Sequence, residues 1–162
     1  MMDKGFLIDF PSAVMTSISS LSEKVLKIAD PVRDLRDLSW CSIDNDDSED
    51  LDQLSVAIPA ANGEVKILIA IADVDSVVNK TSLFEDHAKH NSTSVYTSAQ
   101  IFPMLPEKLS TDLTSLKYGA DRSSIVVEFI VASDGTIKSP DIYPAAVQNL
   151  SLIHISEPTR PY

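Results

Sequence analysis

Gln53-Leu-Ser-Val-Ala-Ile-Pro-Ala-Ala-Asn-Gly-Glu-Val-Lys-Ile-Leu-Ile-Ala-Ile-Ala72 sets the architecture. Two apolar-rich runs, residues 53–59 and 64–72, flank Asn62-Gly63. That dipeptide accepts the positive φ values of a tight hairpin turn. The runs therefore read as two antiparallel strands. The second, Val65-Lys-Ile-Leu-Ile-Ala-Ile71, is almost continuously apolar. Such a run predicts a central strand buried on both faces.

The neighbouring segments extend this sheet. Residues 39–43 form a short strand leading toward the hairpin. Residues 124–132 and 136–143 form a second hairpin, turning at Ser133-Asp134-Gly135. Residues 11–29 read as a helix, because Val14, Ile18, Leu21, Val25 and Ile28 recur at spacings of four and three. Ser12 is its candidate N-cap, and Asp30-Pro31 ends it, since proline pushes the preceding residue out of the helical region. Residues 82–90 form a second short helix. A third starts near Glu107 or Lys108, after Pro103 and Pro106. The pattern predicts an α+β fold, a mostly antiparallel sheet with flanking helices.

The 162 residues suffice for one modest domain. No window holds eighteen consecutive apolar residues, so no membrane span is expected. The first ten residues lack the basic and apolar regions of a secretory signal. The single cysteine, Cys41, has no internal disulfide partner and fits a reducing compartment, so a cytoplasmic location is expected. It reads as a small packing residue rather than a nucleophile, since no basic partner lies nearby in sequence. The net charge of −11 argues against a generic nucleic-acid binder, which needs a basic face for phosphate. Two situations escape that argument: bound divalent cations that reverse the local field, or a basic surface on sequence outside these residues.

Between the first short strand and the hairpin lies Asp44-Asn-Asp-Asp-Ser-Glu-Asp-Leu-Asp-Gln53. Six of its first nine side chains are carboxylates, a density that repels itself unless something neutralises it. Composition leaves two readings open, a solvated acidic loop and a cation site. A calcium EF-hand fails on spacing. Counted from Asp44, the sixth position is Glu49 rather than glycine, and the twelfth is Ser55 rather than glutamate. Magnesium or manganese suits the run better, since hard cations take oxygen ligands together with waters and phosphate oxygens.

Six ordered blocks now bear on that choice. They are Asp34-Leu-Arg-Asp-Leu38, Ser42-Ile-Asp-Asn-Asp-Asp-Ser-Glu-Asp-Leu-Asp-Gln53, Ile71-Ala-Asp-Val74, Thr93-Ser-Val-Tyr96, Phe102-Pro-Met-Leu-Pro-Glu-Lys-Leu-Ser-Thr-Asp-Leu113 and Asp121-Arg122. Together they resemble the catalytic (RNB) domain of the ribonuclease II and ribonuclease R exoribonucleases. The resemblance runs over residues 34–149. It implies processive 3′-to-5′ degradation of single-stranded RNA to nucleoside 5′-monophosphates, assisted by Mg2+ or Mn2+. By the same resemblance the metal site falls on Asp44, Asp50 and Asp52, with Asp50 and Asp52 carrying the catalytic role. Gln53 stands where the family usually has a fourth aspartate and offers an uncharged carbonyl oxygen. Tyr96 matches the tyrosine that stacks on the 3′-terminal base, a contact tolerant of base identity. The alternative is a non-catalytic RNA-binding or regulatory relative, for which Gln53 speaks.

Other polar residues receive plainer readings. Asp46, Asp47 and Glu49 belong to a solvated loop edge. Asp73 supports the site from behind. Arg122 pairs structurally. His87 and His90 are surface residues of a short helix.

Residues 150–160 match the conceptual translation of a transposase adapter used in DNA library preparation. Residues 150–162 are accordingly expected to be a non-native tail and carry no weight in the reading of fold or function. The expected organisation is a helical lead-in over residues 1–31, the front of an incomplete RNB-type catalytic domain over 32–149, and that tail. The resemblance then implies that the phosphate-contacting arginine, a second aromatic clamp and much of the RNA channel follow Asn149. On that expectation the fragment by itself is inactive.

Overall fold

The computed structural model describes residues 5–21, 32–45, 48–78 and 82–154. In chain order its elements are α1 (Ser12–Leu21), β1 (Arg33–Asp34), β2 (Cys41–Asp44), β3 (Gln53–Pro59), β4 (Val65–Ala72), α2 (Leu83–Asn91), β5 (Val95–Tyr96), β6 (Ile101–Phe102), β7 (Asp121–Val131), β8 (Ile137–Gln148) and β9 (Ser151–His154). A turn of 3-10 helix covers Ala61–Gly63, and a π-helical turn covers Lys108–Leu113. The content is α+β and dominated by strands. The chain divides into two compact units, Ile28–Asp73 with Ser115–Tyr162, and Met1–Lys27 with Val74–Thr114.

The first unit holds a seven-stranded sheet of order β1-β8-β7-β4-β3-β2-β9. Its interior pairs are antiparallel, and the two edge strands β1 and β9 join in parallel. The β3–β4 hairpin pairs without a bulge from Gln53↔Ile71 to Pro59↔Val65. Its turn uses positive φ at both Asn62 (59°) and Gly63 (73°), as their chemistry predicts. The loop is longer than a two-residue turn and closes with the Ala60 amide donating to the Glu64 carbonyl at 2.9 Å. The second hairpin, β7–β8, outgrows its expected ends and runs from Asp121 to Gln148.

The core occupies one face of this sheet. Leu54, Ala70, Val126 and Tyr143 are successive cross-strand partners, so they stand on the same side. With Trp40, Leu51, Val56, Leu68, Leu116, Ala145 and Val147 they form the buried cluster. β4 is central, as expected, but it is not buried on both faces. Leu68 and Ala70 are inside, Ile67 and Ile69 are half-buried, and Ile71 is exposed. An antiparallel sheet packs one face on its core and needs no crossover helices on the other, and an apolar run alone does not distinguish the two cases.

Residues 151–154, inside the stretch expected to be a non-native tail, form the last strand of the sheet. They pair with β2 from Cys41↔Ser151 to Asp44↔His154. β2 would otherwise be a sheet edge with unpaired backbone groups. Such an edge accepts an extended segment through main-chain hydrogen bonds, with little demand on its sequence.

Beside the core, Tyr143 donates its hydroxyl hydrogen to Glu128 Oε2 at 2.6 Å, and Lys66 Nζ lies 2.7 Å from Glu128 Oε1. The Arg33 guanidinium stacks 3.5 Å above the Tyr143 ring. Burial first, and then the hydrogen bond to Glu128, push the Tyr143 phenol up to about 12. The folded chain thus holds this proton more tightly than the unfolded chain does. The resulting stabilisation is complete below the ordinary value of 10.0 and disappears as pH rises toward about 12. Titration of phenolate absorbance should show one late-ionising tyrosine whose ionisation coincides with lost stability. Tyr143→Phe should remove that late phase, and its persistence in the variant would reassign it.

In the second unit, α1 buries Val14 and Ile18 against Val77, Phe84, Leu109 and Leu113. The expected helix is realised over Ser12–Leu21. Val25, Ile28 and the Asp30-Pro31 stop lie outside the described residues. Ser12 is the first helical residue rather than the cap, because the Pro11 carbonyl accepts the first amides, from Val14 at 2.9 Å and Met15 at 3.3 Å. Among the described residues no helix is long and apolar enough to cross a membrane.

Candidate active site

Asp44 is the last residue of β2 and half-buried. Its Oδ1 accepts from the Asn45 amide at 2.8 Å and from Ser48 Oγ at 2.5 Å. A carboxylate that caps its own turn in this way is held in orientation, because aspartate readily bonds backbone amides just ahead of it. Ser48 follows Asp46 and Asp47, which lie outside the described residues.

Asp50 and Asp52 are exposed on either side of Leu51, which is only 6% exposed. Alternation in an extended segment puts residues two apart on the same side. Burial of Leu51 in the core therefore turns both neighbouring carboxylates toward solvent. The backbone is pinned throughout. The Leu51 amide donates to Ser115 Oγ at 3.1 Å, the Leu51 carbonyl accepts from the Leu116 amide at 2.7 Å, and the Asp52 carbonyl accepts from the Ala72 amide at 2.9 Å. Gln53 follows as the exposed first residue of β3, opposite Ile71.

Carboxylates at 44, 50 and 52 with an amide oxygen at 53 form an oxygen-only donor set that suits a hard divalent cation. They do not converge on their own. Among the described residues no group of three or more His, Cys, Asp and Glu side chains is gathered closely enough to hold an ion. Like charges repel, so drawing these carboxylates together calls for a neutralising cation. The cations Arg33, Arg36, Lys66 and Lys138 are bound by Asp141, Asp34 with Asp121, Glu128 and Glu64, all outside the acidic run. Arg36 hydrogen bonding holds the Asp34 carboxyl down at about 2.

Tyr96 stands in the other unit, in the two-stranded β5–β6 hairpin, paired with Ile101. Tyr96 is 64% exposed. Asp73 accepts from Ser123 Oγ at 3.3 Å, and its amide donates to the Ser123 carbonyl at 3.3 Å, which fixes the end of β4. Arg122 donates Nε to the Ser115 carbonyl at 2.9 Å, in keeping with a structural role. Cys41 is half-buried and donates Sγ to the Ser55 carbonyl at 3.4 Å.

His87 departs from its surface assignment. It is buried, its ring lies 4.1 Å from that of Phe10, and its Nε2 lies 3.0 Å from Asn91 Nδ2. Phe84, His87 and Asn91 form the inward stripe of α2, and sequence gives no sign that two of its three members are polar. Desolvation, and then the neighbouring His90, lower the His87 pKa. His90 is exposed and sits 2.6 Å from the Gly5 carbonyl.

Ser115 and Asn149 escaped the sequence reading. Both are almost fully buried. Asn149 Nδ2 donates to Ser42 Oγ at 3.0 Å and to the Leu116 carbonyl at 2.9 Å. Each joins segments far apart in the chain, and no local pattern announces that.

The RNB domain pattern matches residues 32–157. Ribonuclease R of Escherichia coli (strain K12) is 36% identical over 141 residues, which cover 86% of this chain and 17% of that protein. The chain thus spans well under a third of the length of the curated relatives it matches. Among solved structures, Mycoplasma genitalium RNase R in complex with ribose-methylated single-stranded RNA superposes with a TM-score of 0.85 at 30% identity, covering 95% of this chain and 24% of that one. Yeast Ssd1, described as a pseudonuclease, shares the fold with a TM-score of 0.68 at 17% identity, over 82% of this chain and 16% of its own.

Proposed function

The chain belongs to the RNB-domain ribonuclease family, and we propose on that basis that the whole protein is a metal-dependent 3′-to-5′ exoribonuclease. Its substrate is single-stranded RNA, its products are nucleoside 5′-monophosphates, and its location is cytoplasmic. The observation that carries this reading is the pair Asp50 and Asp52, exposed on both sides of the buried, backbone-pinned Leu51.

Asp44, Asp50, Asp52 and Gln53 would hold magnesium or manganese. The bound ions supply charge neutralisation and a nucleophile at neutral pH. The chain's own residues orient that chemistry. The turn at Asn45 and Ser48 aims Asp44, and the core aims the other two carboxylates by retaining Leu51. Tyr96 presents a ring on which a terminal base stacks, independently of base identity.

The reading is tested on the full-length protein with end-labelled single-stranded RNA. Shortening from the 3′ end with release of 5′-monophosphates, stopped by a chelator and restored by Mg2+ or Mn2+, supports it. Internal cuts, 3′-monophosphate products or indifference to chelation would overturn it. Gln53 favours a second reading, a relative that binds RNA without cutting it, because this position removes one negative charge from the donor set. Retained RNA binding with no hydrolysis under any divalent ion would select that alternative.

A further inference from the structure

We propose that Ser115 is a positioning residue for the acidic loop, fixing the backbone on both sides of Asp50 so that the Asp50 and Asp52 carboxylates are held toward one side. The inference rests on the metal-site reading above and names the part that organises it.

Ser115 is 1% exposed. Its hydroxyl donates to the Glu49 carbonyl at 2.8 Å and accepts from the Leu51 amide at 3.1 Å. The next residue completes the clamp, because the Leu116 amide donates to the Leu51 carbonyl at 2.7 Å. A serine hydroxyl can donate and accept at once, which lets one side chain bridge the two residues around Asp50. The role resembles that of a neighbouring strand, supplied just before the segment joins β4 at Asp52.

The clamp is itself anchored. The Ser115 carbonyl accepts from Arg122 Nε at 2.9 Å, in β7. The Leu116 carbonyl accepts from Asn149 Nδ2, which also donates to Ser42 Oγ, two residues before Asp44. One hydrogen-bonded chain therefore connects the strand that ends in Asp44 to the loop that carries Asp50. A loop of this charge density spreads when free, since its carboxylates repel one another. Restraining it beforehand removes conformational freedom that ion binding would otherwise have to remove.

The test uses the full-length protein with Ser115→Ala, Ser115→Cys and Ser115→Thr. Cysteine keeps the shape but is a poor hydrogen-bonding group, and threonine keeps the hydroxyl. Three readouts are taken: amide exchange of the peptide spanning residues 48–54, binding of Mn2+ alone by electron paramagnetic resonance, and RNA kinetics. Ala and Cys should speed exchange in that peptide, weaken Mn2+ binding about tenfold, and lower kcat about tenfold with KM for RNA unchanged. Thr should restore all three. Native exchange and Mn2+ affinity in the Cys variant would overturn the proposal, as would a loss that Thr leaves unrepaired. Should Ala fail to fold, Cys decides. A wild-type protein that binds Mn2+ but degrades no RNA would defeat the nuclease reading alone, leaving exchange and Mn2+ binding to judge Ser115.

Discussion

Asp52→Asn should reduce RNA hydrolysis by the full-length protein by about a thousandfold or more. Asparagine has nearly the same shape as aspartate, so the change removes charge and little else. The donor set already contains the neutral Gln53, and only Asp44 and Asp50 would remain charged. The side chain is exposed, and the hydrogen bond at this residue that holds the loop runs from the Ala72 amide to the Asp52 carbonyl, which the substitution leaves in place. Stability should therefore change by about 0.5 kcal/mol or less. RNA affinity should also persist, because the proposed base stacking is by Tyr96 and not by Asp52. Tyr96→Ala provides the converse, with affinity for the RNA end falling about tenfold while the Mg2+ requirement stays the same. Activity assays, thermal melts and RNA titrations on both variants separate the two roles. Hydrolysis undiminished by Asp52→Asn would remove that residue from the site.

The parts of this arrangement that a reader of sequence could see are those written locally. Asn62-Gly63 between two apolar runs gives the β3–β4 hairpin, because the turn needs positive φ and those residues supply it. The Asp-Leu-Asp of residues 50–52 already implies two carboxylates on one side of an apolar anchor. What sequence hides is how that anchor is retained. Ser115 sits 64 residues from Leu51, and a hydroxyl that bonds two distant backbone groups leaves no periodic trace. Asn149 reaches 107 residues back to Ser42 for the same reason. The single-sided burial of β4 was illegible because strand composition reports what a face can bury and not what covers it. His87 misled because polarity was read as exposure, whereas ring packing on Phe10 and one hydrogen bond to Asn91 suffice to keep an imidazole inside. β9 was missed because edge pairing depends on main-chain groups common to every sequence.

Trp40→Ala should destabilise the sheet unit by about 3–5 kcal/mol, a large share of the roughly 5–15 kcal/mol that holds a domain of ordinary stability together. Trp40 is fully buried and is the largest side chain in the core cluster. Its indole Nε1 donates to the Leu35 carbonyl at 2.8 Å, its amide donates to the Leu38 carbonyl at 2.8 Å, and its carbonyl accepts from Leu150 at 3.1 Å. Alanine would leave a cavity in the core cluster and an unmet carbonyl at Leu35. Trp40→Phe separates these costs, since it fills most of the volume and loses the indole hydrogen bond, for about 1–2 kcal/mol. The chain has one tryptophan, so its wild-type fluorescence reports this position alone and the variants must be followed by far-UV circular dichroism. The substitution should also reach the site. Trp40 immediately precedes β2, which ends in Asp44, so a loosened indole frees the strand that carries the first carboxylate. Mn2+ affinity should therefore fall in Trp40→Phe even where urea unfolding shows the protein still folded. A urea midpoint unmoved by Trp40→Ala would mean that the core is not organised around the indole, and would sever the link from packing to Asp44.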